Sequence, residues 1–179
     1  THLYCSIVTA LFARERTGQV LTTEVAMMEA IYPTLASNLA LAVSTPDAAY
    51  VARTGNRHGG MSLTPYNVYK ASDGFVAIIC NNERHWIALG KALKREDWSL
   101  DPQYNPLTER VARMDQLDAE INAETSKYTR MQLFELLNRT GAACAPVRTL
   151  HEVLADPHLR QRGMIHDIDR WVLGRALDV

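Results

Sequence analysis

Between Val25 and Val43 the sequence is almost uncharged, with Glu29 as its only charged side chain and Pro33 near its middle. The apolar positions Val25, Met28, Ala36 and Leu39 fall on one helical face, and no opposite face is polar enough to be left in water. Such a helix has to be covered on most sides, by a core or by another subunit. A membrane span is the poorer reading, because a charge near the bilayer centre costs about 3 kcal/mol. Thr23 is placed to cap this helix from about Glu24, and Pro33 kinks or breaks it.

Upstream, Leu3, Ile7, Val8, Leu11 and Phe12 recur at helical spacing. That pattern ends in Arg14-Glu-Arg-Thr-Gly18, where cations complement the helix dipole and glycine supplies the left-handed stop. Downstream lies Arg53-Thr-Gly-Asn-Arg-His-Gly-Gly-Met61, in which Gly55, Gly59 and Gly60 allow the backbone to approach a ligand closely. Asn56, Arg57 and His58 place an amide, a permanent cation and a titratable imidazole on the same segment. It reads as a site loop or as a solvated connector with two glycine-rich turns.

Asn67 to Lys70 and Gly74 to Cys80 read as two strands joined at Ser72-Asp-Gly74, the second apolar from Phe75 to Ile79 and expected to be covered on both faces. Helices follow, capped by Asn82, Thr108, Thr129 and Thr149, the last two as capping boxes with Gln132 and Glu152. Cys144 to Val147 is a short extended segment, and Met164 to Ile168 a final strand. Helices predominate over few strands, so the fold class is α+β: a helical arm plus a small α/β domain with a short antiparallel sheet. The expected division is 1–45 as arm, 46–168 as the small domain with the glycine loop, and 169–179 as a tail. No strand leads into a GxGxxG turn, so a complete dinucleotide-binding half is not encoded.

The totals narrow the function. At 179 residues the chain buries enough surface to need no disulfide or metal. Lysine and arginine number 19 against 20 acids, which argues against nucleic acid and against a membrane-binding basic patch. Cys5, Cys80 and Cys144 form no CxxC pair, consistent with a reducing cytoplasm, and each is expected to be a buried structural thiol. His2, His151 and His166 lack acidic or cysteine partners at metal-ligand spacing, so no metal site is expected, and His85 and His158, at helix starts, read as surface or capping groups. Asp73, Glu24 and Glu29 are considered as nucleophiles and set aside; Asp73 reads as a turn former. Tyr66 and Tyr69 either wall a ligand channel or pack across strands. Arg53 and Arg57 suit phosphates as well as solvent.

Read in order, Arg14-Glu-Arg-Thr-Gly-Gln19, Glu29-Ala30, Thr54-Gly-Asn-Arg-His58, Pro65-Tyr-Asn-Val-Tyr69, Ser72-Asp-Gly74, Trp86, Arg110, Gly141-Ala-Ala-Cys-Ala-Pro-Val147 and Asp156-Pro-His-Leu-Arg-Gln-Arg-Gly163 resemble the class III CoA-transferases, the CaiB/BaiF family that includes formyl-CoA transferase. The resemblance implies movement of coenzyme A between an acyl-CoA and a carboxylic acid through aspartyl intermediates. The CoA thioester is then a substrate, and no cofactor is covalently bound. It implies an interlocked homodimer and a glycine loop over the reacting aspartate, here Gly55 to Gly60. Substrate-binding residues are accordingly expected at Asn56, Arg57, His58, Gly59, Gly60 and Tyr66. The family's nucleophilic aspartate maps ahead of Thr1, so no catalytic residue is assigned within the chain, which alone is expected to be inactive. It resembles the central to C-terminal part of such an enzyme. Two alternatives stay open: a racemase-type member acting on acyl-CoA, and a non-catalytic module that self-associates or binds CoA.

Overall fold

Gly74 closes the short Ser72-Asp73 turn, and the apolar run Phe75 to Ile79 that follows it forms the middle strand of a sheet. The computed structural model describes residues 1–46, 49, 53–170 and 175–178, with backbone alone for 167–170 and 175–178. It divides into two compact units, Thr1–Ser62 and Leu63–Val179.

In the second unit, β1 (Tyr66–Ala71) and β2 (Gly74–Ile79) form an antiparallel hairpin running from Tyr66 opposite Ile79 to Ala71 opposite Gly74. A third strand, β3 (Ala143–Pro146), adds antiparallel to the other edge of β2, giving the order β1-β2-β3. Helix α7 (Met114–Thr125) packs on β1, and α8 (Arg130–Thr140) packs on β2 and β3. Val76 and Ile78 of β2 are fully buried, as the apolar pattern predicts. Phe75, on the opposite face, is 47% exposed, so the expected cover on both faces is not found. Side chains alternate across a strand, and these helices supply only one layer.

The core is continued by α4 (Glu83–Ala92), whose N-cap Asn82 accepts a bond from His85 N–H at 3.0 Å, and by α5 (Asp97–Leu100). Trp86 and Trp98 stack with ring centroids 5.7 Å apart, and Tyr104 meets Trp86 edge-on at 6.2 Å. Two guanidinium groups extend the stack, Arg110 over Trp86 at 4.7 Å and Arg95 over Trp98 at 4.5 Å. Arg110 lies in α6 (Leu107–Ala112) and is only 1% exposed. It donates to the Thr64 carbonyl at 3.1 Å, the Tyr104 carbonyl at 2.9 Å and the Glu83 carboxylate at 2.6 Å. The expected Thr108 cap is not formed. The helix starts after Pro106 without a side-chain cap, and the apolar stripe from Met114 belongs to α7, after a break at Arg113.

Both capping boxes form. Thr129 and Gln132 open α8, and Thr149 and Glu152 open α9 (Leu150–Leu154). Gly141 ends α8 at φ +84°, in the left-handed region. After α10 (Pro157–Gln161), β4 (Asp167–Arg170) pairs with β5 (Arg175–Asp178) as a separate two-stranded ribbon, so the last strand lies slightly later than expected. Trp171 to Gly174 and Val179, in the predicted tail, lie outside the described residues.

In the first unit, α1 (His2–Thr17) ends as expected at Gly18, φ +73°, whose N–H bonds to the Arg14 carbonyl. The second predicted helix is later and more broken than its pattern suggests. It begins with α2 (Met27–Ile31), preceded by extended Ala26 and not capped by Thr23. Pro33 then turns Tyr32–Leu35 into a 3-10 segment, and α3 (Ala36–Ser44) resumes the α-helix. None of the residues of α1, α2 or α3 is fully buried, and Tyr4, Phe12, Met27, Met28 and Val43 are among their exposed apolar side chains. Cys5 is exposed with them, contrary to the expectation for that thiol. Among the described residues no helix is long and apolar enough to cross a membrane.

Candidate functional site

The segment from Thr54 to Ser62 is built as two successive turns. In the first, Arg57 N–H donates to the Thr54 carbonyl at 3.2 Å, and the Thr54 hydroxyl donates to the Arg57 carbonyl at 2.9 Å. Gly55 sits inside this turn at φ +65°, a value that glycine adopts at no steric cost. In the second, Met61 N–H donates to the His58 carbonyl at 3.0 Å. Met61 itself takes φ +48°, an uncommon left-handed conformation for a residue with a β-carbon. Reciprocal bonding in the first turn and a strained exit from the second describe a shaped loop, not a slack connector.

This loop lies on the first turn of α3. His58 Nε2 and Ser37 Oγ are 3.1 Å apart, within hydrogen-bond range. The approach beside them is close: a β-carbon added at Gly59 would fall 2.6 Å from Asn38 Cγ, so the amide would have to move aside. At Gly60 it would fall 2.9 Å from His58 Cε1 and 3.3 Å from Ser37 Cβ. Close approach to side chains, and not a left-handed backbone, is what favours glycine at both positions. The loop and α3 enclose a cleft of about 370 Å³ lined by Ser37, Ala40, Leu41, Ser44, His58, Gly60, Met61 and Ser62. Its lining combines three serine hydroxyls and an imidazole with the apolar side chains of Ala40, Leu41 and Met61. That composition suits a small acyl group with a polar end.

Of the expected binding residues, Asn56 is exposed, and Arg57, His58, Gly59 and Gly60 are half-buried in the loop. Tyr66, the first residue of β1, belongs to the other unit and is 37% exposed. Tyr69 is fully buried, its hydroxyl donating to Asp118 Oδ1 at 2.6 Å, so it is a core group and not a channel wall. Asp118 also accepts from Asn67 Nδ2 at 2.9 Å.

The candidate nucleophiles resolve cleanly. Asp73 accepts a bond from Arg130 N–H at 2.7 Å, tying the hairpin turn to the start of α8, as a turn former would. Arg130 also binds Glu152 at 2.8 Å, and that guanidinium holds the Glu152 carboxyl down at about 2. Glu24 and Glu29 are exposed. Burial raises the Cys80 thiol to about 12, with the nearby Arg110 cation acting in the opposite sense, and raises Cys144 to about 11. Neither is a thiolate at neutral pH. Among the described residues no three His, Cys, Asp or Glu side chains gather as metal ligands.

Two residues beside the loop escape a reading of the sequence as site residues: Ser37, which lines the cleft, and Asn38, which lies against Gly59. Small polar residues inside an otherwise apolar helix are the one signal in the sequence that marks them, since a covered helix has little use for an amide without a neighbour.

Comparison with known proteins gives a consistent picture. Residues 1–178 match the family model described as CoA-transferase family III. The succinyl-CoA:mesaconate CoA-transferase of Haloarcula marismortui is 32% identical over 164 residues, covering 92% of this chain and 40% of that protein. The acetyl-CoA:oxalate CoA-transferase of Acetobacter aceti is 29% identical over 163 residues, covering 91% of this chain and 41% of that protein. Among solved structures, a CAIB/BAIF family protein from Brucella suis aligns with a TM-score of 0.69 at 28% identity, covering 92% of this chain and 43% of that one. Rv3272 from Mycobacterium tuberculosis has the same fold at a TM-score of 0.75 and 20% identity, over 97% of this chain and 43% of its own. The chain thus spans about two fifths of the length of the curated relatives it matches.

Proposed function

The chain belongs to CoA-transferase family III, and from that premise we propose that it forms part of an enzyme that moves coenzyme A from an acyl-CoA to a small carboxylic acid, supplying the glycine loop of the site. The carboxylate nucleophile comes from outside residues 1–179. It attacks the thioester carbonyl, and the reaction proceeds through acyl-aspartyl and aspartyl-CoA stages that divide one difficult transfer into easier ones. The loop contributes fixed backbone donors from Gly59 and Gly60 and the His58 imidazole, placed where charge develops on oxygen or sulfur. Asn56 and Arg57 complete the proposed binding set within this unit, and no bound cofactor is needed.

The observation that carries this reading is the seating of the loop on α3, with His58 on Ser37 and both glycines at closest approach. A solvated connector has no reason to be so constrained. The relatives named for mesaconate and oxalate support a short carboxylic acid as the acceptor class. The exposed apolar residues of α1 and α2 support a second copy, or the rest of the enzyme, as their cover.

The test joins the chain to the portion of the Acetobacter relative that it does not span. Sedimentation reads the mass of that assembly, and chromatography reads CoA transfer to oxalate or mesaconate. Acceptor-dependent formation of a new thioester by a dimeric assembly is expected. A folded assembly that turns over no acyl-CoA overturns the reading, and a monomer overturns the second copy.

A further inference from the structure

A loop that covers a reacting thioester has to be held shut by something, and the contacts described above identify what. Ser37 and Asn38 lie in the first turn of α3, a nine-residue helix whose start carries no side-chain cap. Both are committed to the loop. Ser37 meets the His58 imidazole at 3.1 Å, and Asn38 fills the space that a side chain at Gly59 would need. The two contacts fall on adjacent residues of one helix and on adjacent residues of one turn. They fix the loop in position and in tilt.

We infer that Ser37 and Asn38 are positioning residues of the transfer reaction, seating the glycine loop so that its amides stay over the thioester and water stays out. The inference rests on the functional reading above and adds two residues to it. Its consequence is a partition. With the loop seated, the acyl group passes between carboxylates and CoA is carried from one thioester to the next, with no net release of thiol. With the loop loosened, water enters instead: its oxygen adds to the acyl carbonyl, the C–S bond breaks, and the proton goes to sulfur. The products are then free acid and CoA thiol. A hydrogen bond between a serine and a histidine has its own value in holding a loop, but a purely structural contact leaves this ratio unchanged.

The experiment uses the same joined assembly and measures two products from one acyl-CoA, free thiol by its reaction with a disulfide reagent and new thioester by chromatography. Ser37→Ala should raise the ratio of hydrolysis to transfer about tenfold, the equivalent of one lost hydrogen bond. Ser37→Thr, which keeps the hydroxyl, should leave it near the original value. Gly59→Ala drives a methyl group into Asn38 and should lower transfer about 100-fold by displacing the loop. Adding Asn38→Ala to Gly59→Ala lets the new methyl group fill the space the amide occupied, restoring the contact between loop and α3, and should recover most of that loss, whereas Asn38→Ala alone should raise the ratio of hydrolysis to transfer. An unchanged ratio in Ser37→Ala with transfer intact overturns the inference and leaves the functional reading standing. So does a Gly59→Ala defect that Asn38→Ala fails to relieve. No transfer by the unsubstituted assembly overturns both.

Discussion

Arg110 shows how much one side chain can organise. Its guanidinium is buried, stacks on Trp86, and divides its donors among two backbone carbonyls and the Glu83 carboxylate. One of those carbonyls belongs to Thr64, 46 positions away and just ahead of β1. Arginine suits the role because its planar fork serves several acceptors at once while its face covers a ring. Replacing it with alanine strands two buried carbonyls and empties the space beside the indole. Arg110→Ala is expected to lower unfolding stability by about 3 kcal/mol, measured as a shift of the urea midpoint at constant slope. Arg110→Lys should recover only part of the loss, since an ammonium cannot serve three acceptors in a plane. A stability unchanged in both would show that the buried cation is replaceable. In the sequence Arg110 stands out only as part of a family pattern. Its partners are brought to it by the fold and leave no local trace. Ser37 and Asn38 are hidden for the same reason, because what marks them is a glycine pair about twenty positions further on.

Among the elements, those set by short-range chemistry were the legible ones. The two capping boxes, the glycine stops at Gly18 and Gly141 and the Ser72-Asp-Gly74 turn all act within a few residues, and all are where the sequence places them. Elements that depend on cover are not legible in this way. The start of α2, the break between α6 and α7 and the half-open face of β2 follow from which neighbour packs where, and periodicity does not carry that information. Helix α9 shows both kinds of control. Glu152 closes its capping box locally, and it also binds Arg130 at the start of α8, which in turn reaches Asp73 in the hairpin turn. That pairing lowers the Glu152 carboxyl from its ordinary 4.5 to about 2, so the folded protein holds the proton less tightly than the unfolded chain. Its stabilising contribution is therefore complete above about 4.5 and is lost as pH falls through about 2. Glu152→Gln should flatten the acid limb of the stability profile across that window, measured by thermal melts at a series of pH values. An acid limb of undiminished slope would place the titration on another carboxylate.

At the scale of the whole molecule, the two units differ in what they can do alone. Leu63–Val179 contains the buried aromatic and aliphatic core, whereas the helices of Thr1–Ser62 contain no fully buried residue. A helical unit with Phe12, Met27 and Met28 in water is the expected appearance of a segment whose cover lies elsewhere. The low charge of residues 25–43 points the same way, in keeping with the cover proposed above. The fold class and the position of the loop were likewise readable, because glycine spacing and strand alternation are local. The seat of the loop was not, because it is made from a helix that the sequence describes only as apolar. The central claim, that this loop contacts a CoA thioester, is tested most directly by labelling the joined assembly with a photoreactive acyl-CoA and mapping the adduct by mass spectrometry. Label on the peptide spanning Gly55 to Met61, displaced by excess CoA, is the predicted result. Label that CoA displaces only from other parts of the assembly, with the loop peptide unmodified, would contradict it.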